Sequence, residues 1–162
     1  MSLNVMSFID QLAIALHSLT AVLWVGGIFL AYRILRPAAM TLEPPIRLRL
    51  WVNVFSRFFP WVWLFIIVLV VTGYWDWSVS FGALETTPFY IHAMQIIGWV
   101  MIILFAWLYF VPFAKFKQLV ADENFPLAGA IMNNQMRPII AINLSLGVIE
   151  VIIGAAGPFW GI

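Results

Sequence analysis

Residues 11–32, QLAIALHSLTAVLWVGGIFLAY, run for twenty-two positions without a charged side chain between Asp10 and Arg33. A hydrocarbon core of about 30 Å is crossed by roughly 20 apolar residues in an α-helix, so this stretch reads as a membrane span. Three more runs qualify: 58–75 between Arg57 and Asp76, 86–114 between Glu85 and Lys115, and 138–162, interrupted only by Glu150. The composition agrees, with 64% hydrophobic and 9% charged side chains in 162 residues, where a soluble domain carries about a quarter charged. The expected architecture is all-α: an integral membrane bundle of four transmembrane helices, up-down-up-down. It forms a single membrane domain over 1–162, with helices at about 11–32, 58–78, 88–112 and 138–158.

Charge sets the expected orientation. Arg33, Arg36, Arg47, Arg49 and Arg57 lie in or beside the connection between helices one and two, and Lys115, Lys117 and Arg137 bracket the one between helices three and four. The connection between helices two and three carries Asp76 and Glu85 and no cation. By the positive-inside rule the chain is a multi-pass protein of the cell inner (plasma) membrane with both termini on the outer, periplasmic side. Trp75 and Trp77 near one end of helix two, and Trp61 and Trp63 near the other, suit interfacial anchoring. The first apolar run has no Lys or Arg ahead of it and reads as a retained helix, not a cleaved signal. Residues 45–57, with Leu48, Trp51, Val52 and Phe55 at helical spacing, form either a short amphipathic surface helix or an extension of helix two.

A net charge of +1 argues against nucleic acid as a partner. The lack of cysteine excludes disulfides, thiolate metal sites and covalent heme attachment.

The two histidines, His17 and His92, sit in matching surroundings: each is followed seven residues later by a tryptophan, Trp24 or Trp99, and twenty later by a proline, Pro37 or Pro112. A shift of 75 residues superimposes these and several apolar positions, which suggests an internal repeat. Helices one and three would then run parallel with both rings at similar depth. An imidazole inside an apolar span is a functional candidate, because a titratable group there is costly to bury.

In an up-down bundle helices one and three stand diagonally, on the order of 13 to 14 Å apart, a gap that two inward imidazoles and one iron can span. Two histidines allow one bis-histidine heme b. The helical stripes through them place Thr20, Trp24 and Gly27 with His17, and Gln95, Trp99 and Ile102 with His92. Trp24, Gly27, Gln95 and Trp99 are thus the candidate cofactor-lining residues, although close helix packing is the commoner use of membrane glycines such as Gly26 and Gly27. Glu150, the one acid inside an apolar run, is a candidate partner for an imidazole N–H or a proton carrier, and Tyr74 is a second proton-handling candidate. Asn143, Ser145 and Thr72 can each be satisfied by nearby backbone. Copper is the rival occupant, held by His17, His92 and Met94. The plain alternative is a noncatalytic membrane subunit in which these groups only join helices.

The pattern His17-x6-Trp24-x-Gly26-Gly27-x-Phe29-x3-Arg33, with His92 opening helix three, resembles the copper-resistance D (CopD) family and its HemJ-type relatives. Ile97–Met101, Leu108–Phe113 and Ala141–Leu144 share that look. The HemJ-type resemblance implies heme b on His17 and His92 and oxidation of protoporphyrinogen. Its lysine position is held by Met94, which weakens the carry-over of that activity. The CopD resemblance implies copper uptake or tolerance. The expectation is therefore a heme b redox protein, with copper transport or tolerance as the alternative. Expected partners are the lipid bilayer, a quinone or porphyrin substrate, and further copies or a larger membrane complex.

Overall fold

The computed structural model describes residues 7–82 and 87–160, so Glu85, used above in the orientation argument, lies outside the described residues. Four long helices account for nearly all of it: α1 (Phe8–Ala39), α2 (Pro44–Ser80), α3 (Phe89–Ala121) and α4 (Phe125–Phe159), each long and apolar enough to cross a membrane. Among the described residues there is no strand.

Local chemistry explains where the helices begin. Ser7 and Asp10 form a capping box: the Ser7 hydroxyl accepts the Asp10 N–H at 3.2 Å, and the Asp10 carboxylate accepts the Ser7 N–H at 3.0 Å. Pro44 and Pro45 open α2, where a missing N–H costs nothing. Residues 45–57 are therefore an extension of helix two and not a separate surface helix. Burial of Leu48, Trp51 and Phe55 holds that extension in the bundle.

Three of the helices widen into a π-turn, at Leu30–Leu35, Tyr109–Phe113 and Met132–Met136. Each widening contains a proline or precedes one by two residues, at Pro37, Pro112 and Pro138. Proline removes an N–H and crowds the carbonyl four residues back, and a wider turn relieves both problems without ending the helix.

The helices are antiparallel in sequence order. Trp75 Nε1 donates to Asp10 at 3.1 Å, joining the start of α1 to the end of α2. The Arg49–Glu123 ion pair, at 2.6 Å, ties the start of α2 to the α3–α4 turn. Along α3, Tyr90, Met94, Gly98 and Met101 meet Gly157, Gly154, Glu150 and Gly147 of α4 in strict reverse order. Neighbours are α1 with α2, α3 with α4, and α1 with α4, so α1 and α3 stand on a diagonal.

All eight cations lie toward the end of the bundle that holds the α1–α2 and α3–α4 connections, here the basic end. Toward it the core is aromatic. Trp51, Phe55 and Phe59 stack along α2 with centroids 5.0 and 4.9 Å apart. Phe59 meets Phe105 at 5.3 Å, and Phe105 meets Trp24 across the diagonal at 6.3 Å. The opposite end carries His17 and His92 and is called the histidine end.

Candidate functional site

His17 belongs to the inward face of α1, in line with buried Ala13, Thr20 and Trp24. Its Nδ1 lies 3.0 Å from Thr72 Oγ1 on α2. The Thr72 hydroxyl donates to the Val68 carbonyl at 2.6 Å. With that proton committed, Thr72 accepts from Nδ1–H, and the His17 Nε2 keeps its lone pair. Gly73 makes room for the ring, since a Cβ there would stand 3.1 Å from His17 Cε1.

His92 is one turn into α3. The Tyr90, Met94, Gly98 and Met101 side of that helix packs on α4. At roughly 100° per residue, His92 leaves the helix roughly 200° round from Tyr90, on the stripe that also carries Gln95 and Trp99. Trp99 Nε1 donates to the Tyr74 hydroxyl of α2 at 3.2 Å. Trp99 of that stripe thus meets α2 at Tyr74, whereas His17 meets it at Thr72, roughly 200° round the helix from Tyr74.

Depth can be read from α4. A Cβ on Gly147 would lie 2.7 Å from Val25 Cγ2 and 3.3 Å from Met101 Cε, so α1 and α3 meet α4 at one level there. Val25 is eight residues along from His17, and Met101 nine from His92. At 1.5 Å per residue, the two histidines stand roughly 12 and 13.5 Å from that level, on the same side of it. The ring contact of Trp24 with Phe105, seven residues past His17 and thirteen past His92, instead places His92 about 9 Å nearer the histidine end than His17.

The other candidates divide. Gln95 is half-buried on the His92 stripe. Trp24 is 4% exposed and belongs to the core, whereas its sequence counterpart Trp99 is 45% exposed. Gly27 seats the Phe58 ring of α2, 2.5 Å from where a Cβ would be. Met94 faces α4, its Cε 3.3 Å from a Cβ position on Gly154, on the far side of α3 from His92. The structure therefore does not gather Met94 with the two histidines. Among the described residues, no three His, Asp or Glu side chains are clustered to hold a metal.

Glu150 sits beside Gly98 on the α4-facing side of α3, and its Oε1 is buried without a hydrogen-bond partner among the described residues. The hydrogen-bond partner of His17 is Thr72, not Glu150. Ser145 satisfies itself on the Ala141 carbonyl at 3.1 Å, while Asn143, 2% exposed, has an Oδ1 without a partner among the described residues. Sequence reading alone passed over Gly73 and Gly98. The available signal was the Thr72-Gly73 pair, a small polar residue beside a bare one in an apolar helix.

No curated protein and no solved structure matches the chain. The match to a family model begins at residue 52 and so takes in α2 from there through most of α4, with His92, Thr72, Tyr74 and Glu150, while His17 precedes it. Residues 52–157 match the model described as CopD, Copper resistance protein D, and this four-helix membrane chain belongs to that family.

Proposed function

We propose that the protein is a membrane redox protein that holds a single heme b between His17 and His92 at the histidine end. The observation that supports this reading is the His17 ring held through Nδ1 by Thr72 of α2, beside the bare Gly73, with the chain's second imidazole, His92, on the diagonal helix α3 toward the same end of the bundle. The donor set suits such a group. A bis-histidine heme asks for two nitrogens, and Thr72 leaves the His17 Nε2 as an acceptor. An imidazole oriented through its other nitrogen is the usual arrangement of a metal-ligating histidine.

When bound, the heme would supply one-electron chemistry. The chain's own residues would do the rest. His17 and His92 would hold the group; Thr72 and Gly73 would fix the His17 ring; Trp99, bonded to Tyr74, would join α3 to α2 beside it. Tyr74 and Glu150 are the candidates for moving protons, and a lipid quinone or a porphyrin is the candidate substrate. Orientation in the plasma membrane, with both termini outside, rests on the cations at the basic end. The test is an absorption spectrum of protein expressed with heme available: a Soret band that shifts on reduction supports the proposal, and its absence rejects it.

A second reading is favoured by the family description, Copper resistance protein D: a copper-tolerance component that binds copper through His17 and His92. Met94 faces away, so that site would rely on the two imidazoles. Stoichiometric copper in heme-free protein, lost in His17→Ala, would select it.

A further inference from the structure

At the basic end, α1, α2 and α4 enclose a cavity of about 560 Å³ to which α3 contributes no wall. Arg36 from α1, Arg47 from α2 and Arg137 from α4 all line it, and no carboxylate does. These three are half-buried, whereas the other five cations, Arg33, Arg49, Arg57, Lys115 and Lys117, are exposed. Bulk water therefore bathes the five and reaches the three less well.

Their compensation within the protein is meagre. Arg36 lies 5.7 Å from the Tyr32 ring centroid, and Arg47 donates to the Leu42 carbonyl at 3.3 Å. Among the described residues the ion pair present is Arg49–Glu123, outside the cavity. Three guanidinium groups from three helices, partly withdrawn from water and lacking acids, make a site for an anion that can take several N–H donors at once. The remaining wall is apolar, with Trp51, Phe55 and Ile140 at its base, which suits an anion carrying hydrocarbon. The arginines stand at the ends of the spans, where lipid phosphates lie.

We propose that this cavity binds the phosphate diester of an anionic phospholipid, its headgroup held by Arg36, Arg47 and Arg137 and its glycerol and first methylenes resting on the aromatic base. Free phosphate shares the anionic chemistry but not the hydrocarbon, and the experiment separates them. The full chain, in detergent, is titrated with phosphatidylglycerol, phosphatidylcholine or inorganic phosphate and read by native mass spectrometry and thermal unfolding. Phosphatidylglycerol should be retained at least tenfold better than phosphatidylcholine and should raise the melting temperature, with inorganic phosphate doing neither.

R36Q, R47Q and R137Q should each weaken retention roughly tenfold, the cost of one lost charge-assisted contact. The exposed R33Q and R57Q should leave it unchanged. R137K, which keeps the charge and loses the fork, should fall between wild type and R137Q, a graded result that misfolding would not give. Equal retention of the two lipids, equal stabilisation by inorganic phosphate, or Gln variants that bind as wild type would each overturn the proposal.

Discussion

From Phe89 to Val100, α3 has no buried side chain; from Met101 to Val120, the same helix has seven. α2 shows the same gradient, with Leu48, Trp51, Phe55, Phe59, Val62 and Ile66 buried toward the basic end and Thr72 the one buried residue beyond them. In a bilayer, helix association relies on van der Waals packing and interhelical hydrogen bonds, because lipid tails are as apolar as the side chains. The basic half uses the first device, through stacked and edge-on rings. The histidine half uses the second, through His17–Thr72, Trp99–Tyr74 and Trp75–Asp10. The difference teaches that the two halves of one bundle are held together by different forces.

Substitutions in each half should break different things. The largest effect is expected at the histidines: His17→Ala or His92→Ala should remove bound heme almost entirely, more than the roughly 100-fold that losing an orienting partner costs, with helicity unchanged. Pyridine hemochrome content of the purified variants measures this. In the other half, Phe59→Ala should destabilise the bundle by about 3 kcal/mol, as truncation of a buried ring does, without lowering heme stoichiometry in protein that stays folded. Unfolding in mixed micelles reads the first, absorbance the second. Heme loss from Phe59→Ala equal to that from His17→Ala would show the two halves to be one cooperative unit.

Smaller changes sharpen the line between the halves. Thr72→Ala should weaken cofactor affinity by roughly 10-fold to 100-fold through loss of the His17 orientation, and Thr72→Ser should restore it; heme titration of apo-protein compares them. A Thr72→Ala variant with wild-type affinity would remove the hydroxyl from the site. The smallest effect belongs to Arg49→Ala at the basic end. Its ion pair with Glu123 joins side chains that are 55% and 69% exposed, and exposed pairs contribute about 0 to 1 kcal/mol. A larger loss in thermal unfolding would mean that this pair closes the end of the bundle.

The internal repeat illustrates how far residue spacing can be carried. Equal distances from Pro37 and Pro112 suggest a common depth for His17 and His92, yet Trp24, seven residues past His17, meets Phe105, thirteen past His92. The tryptophans matched by the same shift diverge, Trp24 in the core and Trp99 largely exposed. The π-turns near Pro37 and Pro112 are no mark of repetition either, since Pro138 of α4 has one too and proline sterics account for all three. Spacing along a helix conveys depth within that helix, because the rise per residue is constant, but not the offset between two helices. It conveys facing only when the neighbouring helices are known.

That separates what the chain's order of residues settles from what folding decides. Runs of uncharged residues long enough for the bilayer dictate four helices, because backbone groups in hydrocarbon must be bonded within a helix, and Pro44, Pro45 and Pro126 mark where α2 and α4 begin, while Pro37, Pro112 and Pro138 leave their helices unbroken. Which side chains meet is a property of helix rotation and partner choice. Thr72 and Gly73 against His17, Met94 turned toward Gly154, Glu150 beside Gly98, and three arginines around one cavity became visible only in three dimensions. In a span where most positions are apolar, the periodicity that would fix rotation is nearly absent, and contacts between helices decide what the sequence leaves degenerate.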